Sequence, residues 1–135
     1  MSDIARLLTL DAGEELNIGI AELSGWNVVC DGDVVWIEGD NADDMHTTNA
    51  LPDVAHDLNV AWSSLFDTLP FKFTPRLVRM IAPRGDFLTY HYKGSILAVG
   101  EGEDYEAYAD TPALAVDRVW LTAVQAGVIE VVGKR

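Results

Sequence analysis

Residues 109–127, Ala-Asp-Thr-Pro-Ala-Leu-Ala-Val-Asp-Arg-Val-Trp-Leu-Thr-Ala-Val-Gln-Ala-Gly, constrain the fold more than any other stretch of the chain. Thr111 is placed to cap a helix, and Pro112 suits the first helical position, where its missing N–H is not needed. Asp110 adds negative charge at the positive end of the helix dipole. Leu114, Val116, Val119, Trp120, Leu121, Ala123 and Val124 cover most of the cylinder. Only Asp117, Arg118, Thr122 and Gln125 are left for solvent, and Gly127 is a left-handed stop. A helix this apolar has to be buried, and the expected arrangement lays it across a sheet.

The rest of the chain supplies that sheet. Trp26 to Cys30, Asp31-Gly32, and then Asp33 to Glu38 read as a β-hairpin, because Asp-Gly favours the tight turn and Val, Ile and Trp favour strands. Residues 71–81 form a long strand candidate in which Pro75 demands an edge or a bulge. Pro83-Arg84-Gly85-Asp86 turns the chain, and residues 87–92 return. Lys93-Gly94 reads as another turn before 95–99, and residues 100–104 as a third before 105–109. An antiparallel meander results. Before it come two amphipathic helices. One starts at Asp11, with Glu14 completing a capping-box-like pair, and runs through Leu16, Ile20 and Leu23 to Ser24-Gly25. Gly19 in its middle implies a closely packed neighbour. The other runs from Pro52 or Asp53 to Leu69, with Val54, Leu58, Ala61, Trp62, Leu65, Phe66 and Leu69 on its buried stripe. Residues 39–50 read as a polar loop. The fold class expected is α+β: an antiparallel sheet of hairpin plus meander covered by about three helices, a helix–sheet–helix sandwich. Residues 1–135 form one domain, with 1–10 an N-terminal arm and 128–135 a C-terminal tail.

Composition narrows the function classes. The chain has 22 acids against 9 bases, a formal net charge of −13. That disfavours direct binding to nucleic acid or to an anionic membrane. No apolar run reaches the roughly 18 residues of a membrane span. The N-terminus lacks the form of a signal peptide, and the single Cys30 forms no internal disulfide, so a reducing cytoplasm is expected. No zinc or calcium spacing is present, so no metal and no cofactor are expected.

Catalytic motifs are missing as well. His46, His56 and His91 are the conventional general bases, and none sits in a motif. Cys30 lies beside an Asp-Gly turn among acids, which is the wrong setting for an activated thiolate. An enzyme is not expected. Two loops are unusual: Asp40, Asp43 and Asp44 in one, and Glu101, Glu103 and Asp104 in the other, with no base within either run. They are the candidate surface for a basic protein partner. Five of the nine bases, Lys72, Arg76, Arg79, Arg84 and Lys93, lie in the meander. Arg76, Arg79, Arg84 and Lys93 with Tyr90 and Tyr92 are the alternative set, for a phosphorylated small ligand.

Three motifs carry a family resemblance. They are a helix ending in Leu23-Ser24-Gly25-Trp26, a Pro-Asp-x-x-x-Asp-Leu-Asn-x-Ala-Trp run over 52–62, and Ala-Asp-Thr-Pro-Ala-Leu-Ala over 109–115. Together they resemble the phage ABA sandwich domain family over most of residues 11–127. The chain differs in reading Pro112-Ala113 where the family has Ala-Pro, and in its long 27–50 segment. The resemblance implies a sheet covered by helices, a bacteriophage or prophage origin and work in the host bacterial cytoplasm. It brings no catalytic residue. Three roles are consistent with it: an interaction protein that binds and blocks a host defence protein, a nucleotide-sequestering sponge, or a virion assembly component. A homodimer is the commonest way to cover the edge that the strand-rich region must end in.

Overall fold

The computed structural model describes residues 3–40, 46–70, 72–84, 87–100 and 102–129. It is α+β. Helices α1 (Asp3–Leu7) and α2 (Glu14–Leu23) precede a three-stranded antiparallel sheet of β1 (Asn27–Asp31), β2 (Val34–Asp40) and β3 (His46–Ala50). Helix α3 (Leu58–Ala61) runs into a π turn over Trp62–Phe66. Strands β4 (Phe73–Arg84), β5 (Phe87–Ala98) and β6 (Tyr105–Ala109) form a second antiparallel sheet, and α4 (Pro112–Gln125) follows.

Helix α4 organises the core as its sequence demands. The Thr111 hydroxyl accepts from Leu114 N at 3.3 Å, Pro112 opens the helix, and Gly127 sits at φ 82 beyond its end. One face lies on the meander. The other meets α1, α3 and the π turn. Leu114, Val116, Val119, Trp120, Leu121 and Val124 are all buried. Each contributes roughly 1.5–3 kcal/mol relative to exposure.

Among the described residues no ladder joins the hairpin to the meander. Asp31 pairs with Val34 across a two-residue turn with Gly32 at φ 62, where a residue with a Cβ would be strained. The first sheet meets the body through β1 against α2. Residues 46–50, expected as loop, form β3 in register with β2, from Trp36↔Ala50 to Asp40↔His46.

The Lys93-Gly94 turn is also corrected. Strand β5 passes straight through Gly94, which pairs with Leu77 on one side and Ala107 on the other. Glycine is there for space: a Cβ would stand 2.6 Å from the Ala115 carbonyl oxygen of α4 and 3.0 Å from Val119 Cγ1. The missing side chain lets the helix backbone rest on the sheet. At Gly19 a Cβ would collide with the Leu7 side chain, which is the close neighbour anticipated there.

The expected single helix over 52–69 is two capped pieces. The Asp53 carboxylate accepts from His56 N, and Asp57 N donates to Asp53 O at 3.0 Å, closing one turn. Asp57 then caps α3, accepting from Asn59 N and Val60 N. At the far end Asp67 N donates to Trp62 O at 2.9 Å, an i→i+5 bond. Asp11 does not cap α2: Gly13 stands at the N-cap, with no side-chain hydrogen bond.

Candidate functional site

Asp117 is the residue whose placement departs furthest from its sequence reading. The helical wheel assigns it to solvent; it is fully buried on α4, with no hydrogen-bond partner for either carboxylate oxygen. Packed between the meander and the other helices, the Asp117 position of α4 has no solvent to face. Burial pushes the Asp117 carboxyl up to about 9, the negative charge of Asp53 pushes the same way, and Arg118 opposes both. At neutral pH Asp117 is therefore the uncharged acid.

Asp53 belongs to a polar junction between α2 and the turn before α3. The Asn17 side-chain amide donates to Asp53 Oδ1 at 2.9 Å, and Asn17 Oδ1 accepts from the buried Ala55 N at 2.8 Å. His56 Nδ1 lies 3.0 Å from the same Asp53 oxygen. The Asn17 hydrogen bond, with help from His56, holds the Asp53 carboxyl below its usual range against a desolvation that opposes it. Asn17 also borders a cleft of about 150 Å³, walled by Ile20, Ala21, Trp26, Val54 and Leu65. The cleft is apolar apart from Asn17, Ser24 and Ser64. Among the described residues, no group of three His, Cys, Asp or Glu side chains is placed to hold a metal ion.

Arg118, also assigned to solvent, is half-buried. Its guanidinium donates to Tyr108 O at 3.0 Å and to Leu10 O at 3.3 Å, tying β6 and the segment before α2 to the helix. His91 packs edge-on against Tyr108, with ring centroids 6.2 Å apart, on the meander face turned away from α4.

The acidic candidates divide. Asp43, Asp44 and Glu101 lie outside the described residues, as does the side chain of Asp40, which ends β2. Glu103 is exposed and accepts from the Tyr105 hydroxyl at 3.5 Å. Asp104 is committed to the fold, because its carboxylate accepts from Ala98 N at 2.8 Å and ties the turn before β6.

The basic candidates do not converge either. Successive side chains of a strand point to opposite faces. Arg76 and Lys93 lie on the face of the meander opposite α4, while Arg79 and its cross-strand partner Tyr92 lie on the face that carries α4. Lys93 is paired with Glu106 at 3.2 Å. The side chains of Arg84 and Tyr90 lie outside the described residues. A single phosphate pocket built from all six is not what the register gives.

No protein-family model, no curated protein and no solved structure matches this chain. No described helix is long and apolar enough to cross a membrane.

Proposed function

We propose that this chain is a non-enzymatic interaction protein that presents an acidic surface to a basic surface of another protein. The observation that carries the reading is the first sheet. Among the described residues it pairs with no strand of the meander, and its hairpin end exposes Asp31 and Asp33. The whole of residues 7–71, which includes that sheet, contains thirteen acids and no Lys or Arg. An acidic surface of this kind speeds encounter with a basic partner and repels nucleic acid. The phage resemblance makes the partner a host bacterial protein, and inhibition of that protein is the proposed outcome.

The test reverses Asp43, Asp44 and Glu103 to Lys, leaving Asp104 because it holds a turn. Immobilised wild-type and variant chains are compared for capture of purified candidate partners and of lysate proteins from the bacterial host. We expect association at low salt to slow by at least about tenfold, with far-UV circular dichroism confirming that the fold is kept. Equal capture by the two forms would overturn the acidic-surface reading. The sponge remains the second reading, with Arg76 its best-placed base. Its mark is uptake of a phosphorylated ligand that Arg76→Ala abolishes and the acid reversals leave intact.

A further inference from the structure

The cleft beside Asn17 is assembled from three chain segments, each held by hydrogen bonds of its own. The last turn of α2 supplies Ile20, Ala21 and Ser24. Beyond it Gly25 stands at φ 96, its N–H donates to Glu22 O at 3.1 Å, and Trp26 N donates back to Ala21 O at 3.0 Å. This reversal brings Trp26 back against the end of the helix, where it walls the cleft. Pro52 and Val54 come from the turn before α3, which Asn17 fixes by donating to Asp53 and accepting from Ala55 N. Ser64 and Leu65 come from the π turn. Such a turn sets one extra residue into the helical path, and proteins often place it at functional sites.

Wall and mouth differ in chemistry. Ile20, Val54 and Leu65 are almost fully buried, whereas Ser64 is exposed and Ser24 half-buried. Hydroxyls therefore stand at the opening, with hydrocarbon behind them. Water in the apolar part finds few partners, and an apolar space of about 150 Å³ holds one benzene-sized ring. The surrounding charge decides what that ring can carry. Every lining residue falls in the stretch 7–71, which has no Lys or Arg. The cleft lies at the C-terminal, negative end of α2, and behind Asn17 the Asp53 carboxyl is held below its usual range. An anionic substituent meets no basic side chain in this lining. A neutral or cationic donor meets two hydroxyl oxygens and a favourable potential.

We infer that this cleft binds a small one-ring aromatic compound that carries a hydroxyl or amine donor and no negative charge. The ring lies between Trp26 and the aliphatic wall, where contact between aromatic groups adds to the gain from burial. Its polar substituent stays at the mouth, with Ser24 and Ser64. Size, apolar lining and charge each exclude a different class: a larger molecule, a strongly hydrated one and an acid. The site needs no protein partner. Its test uses the purified chain with free compounds, and so fails or succeeds independently of the acidic surface proposed above.

Three probes share one ring and differ in charge: neutral p-cresol, cationic tyramine and anionic 4-hydroxybenzoate. Each is titrated into the isotope-labelled chain and followed by amide NMR. The first two should shift the signals of Ala21, Ser24, Val54 and Leu65 to saturation, with Kd of about 1 mM or tighter, a range open to ligands of about ten non-hydrogen atoms. The anion should bind at least about tenfold more weakly. Ser64→Phe, at an exposed position, sets a ring across the mouth and should weaken p-cresol at least about tenfold. Ser24→Ala removes one hydroxyl and should weaken p-cresol about three- to tenfold, while toluene, which has no donor, binds as before. The amide spectra of both variants show directly whether the fold is kept. Three results would overturn the proposal. One is p-cresol shifts that stay linear to about 10 mM or fall outside the cleft, which marks non-specific contact. Another is equal affinity for 4-hydroxybenzoate and p-cresol. The third is p-cresol binding that survives Ser64→Phe unchanged.

Discussion

Replacing Asp117 by Asn tests the buried acid directly. The carboxyl titrates at about 9 in the fold, against 3.8 as its ordinary value. Between those values the folded chain holds a proton that the unfolded chain has released. Stability must then fall as pH rises across that window. The contribution of Asp117 is fully present below the unfolded value, is lost at about 1.4 kcal/mol per pH unit, and levels off above the folded value. By neutral pH about 4 kcal/mol has been lost in this way. Asn has nearly the same shape and no proton to release, so it removes that loss. Burying its amide without partners costs about 1–3 kcal/mol, which offsets part of the gain. The expected net effect at neutral pH is a stabilisation of about 1–3 kcal/mol. The sharper signature is the pH trend. The stability difference between variant and wild type should grow by about 1.4 kcal/mol per unit from about pH 5 to about pH 8. Every other titrating group is common to both proteins and cancels. Urea unfolding followed by tryptophan fluorescence gives each value. Parallel stability curves for the two proteins over that range would mean that Asp117 is ionised in the fold, and would refute the argument.

Gly94→Ala should destabilise the chain by about 1–3 kcal/mol, because the new methyl meets the Ala115 carbonyl of a helix that has no room to retreat. A gain in the denaturation midpoint, the usual result of removing a strand glycine, would show that α4 does not press on β5. Asn17→Ala leaves the buried Ala55 N–H without its acceptor and should cost about 1–3 kcal/mol in the same melts. In that variant the Asp53 carboxyl should also move back up, since the Asn17 hydrogen bond is the largest influence lowering it. Carboxyl titration by NMR reads that shift, and an unmoved Asp53 would contradict the contact.

What the sequence determines by itself is local. The limits of α4 are written in Thr111, Pro112 and Gly127, and the first hairpin in Asp31-Gly32 between two runs of strand formers. Pro75 demands an edge or a bulge, and among the described residues β4 is an edge strand. These features rest on caps, turns and periodicity, which act within a few residues and survive in any tertiary setting. The tertiary structure decided the rest. Gly94 has the look of a turn in the sequence, and only the passage of α4 across β5 makes it a point of backbone contact. Asp53 and Asp57 sit inside a helical pattern, yet each finds backbone donors that break the run into separate turns. The bases of the meander look like one set until strand register sends Arg76 and Arg79 to opposite faces. Asp117 is the clearest case. A helical wheel knows two sides, inside and outside, and puts the lone acid outside. Helix α4 lies between two layers and has an inside on both, so that position has no water to face.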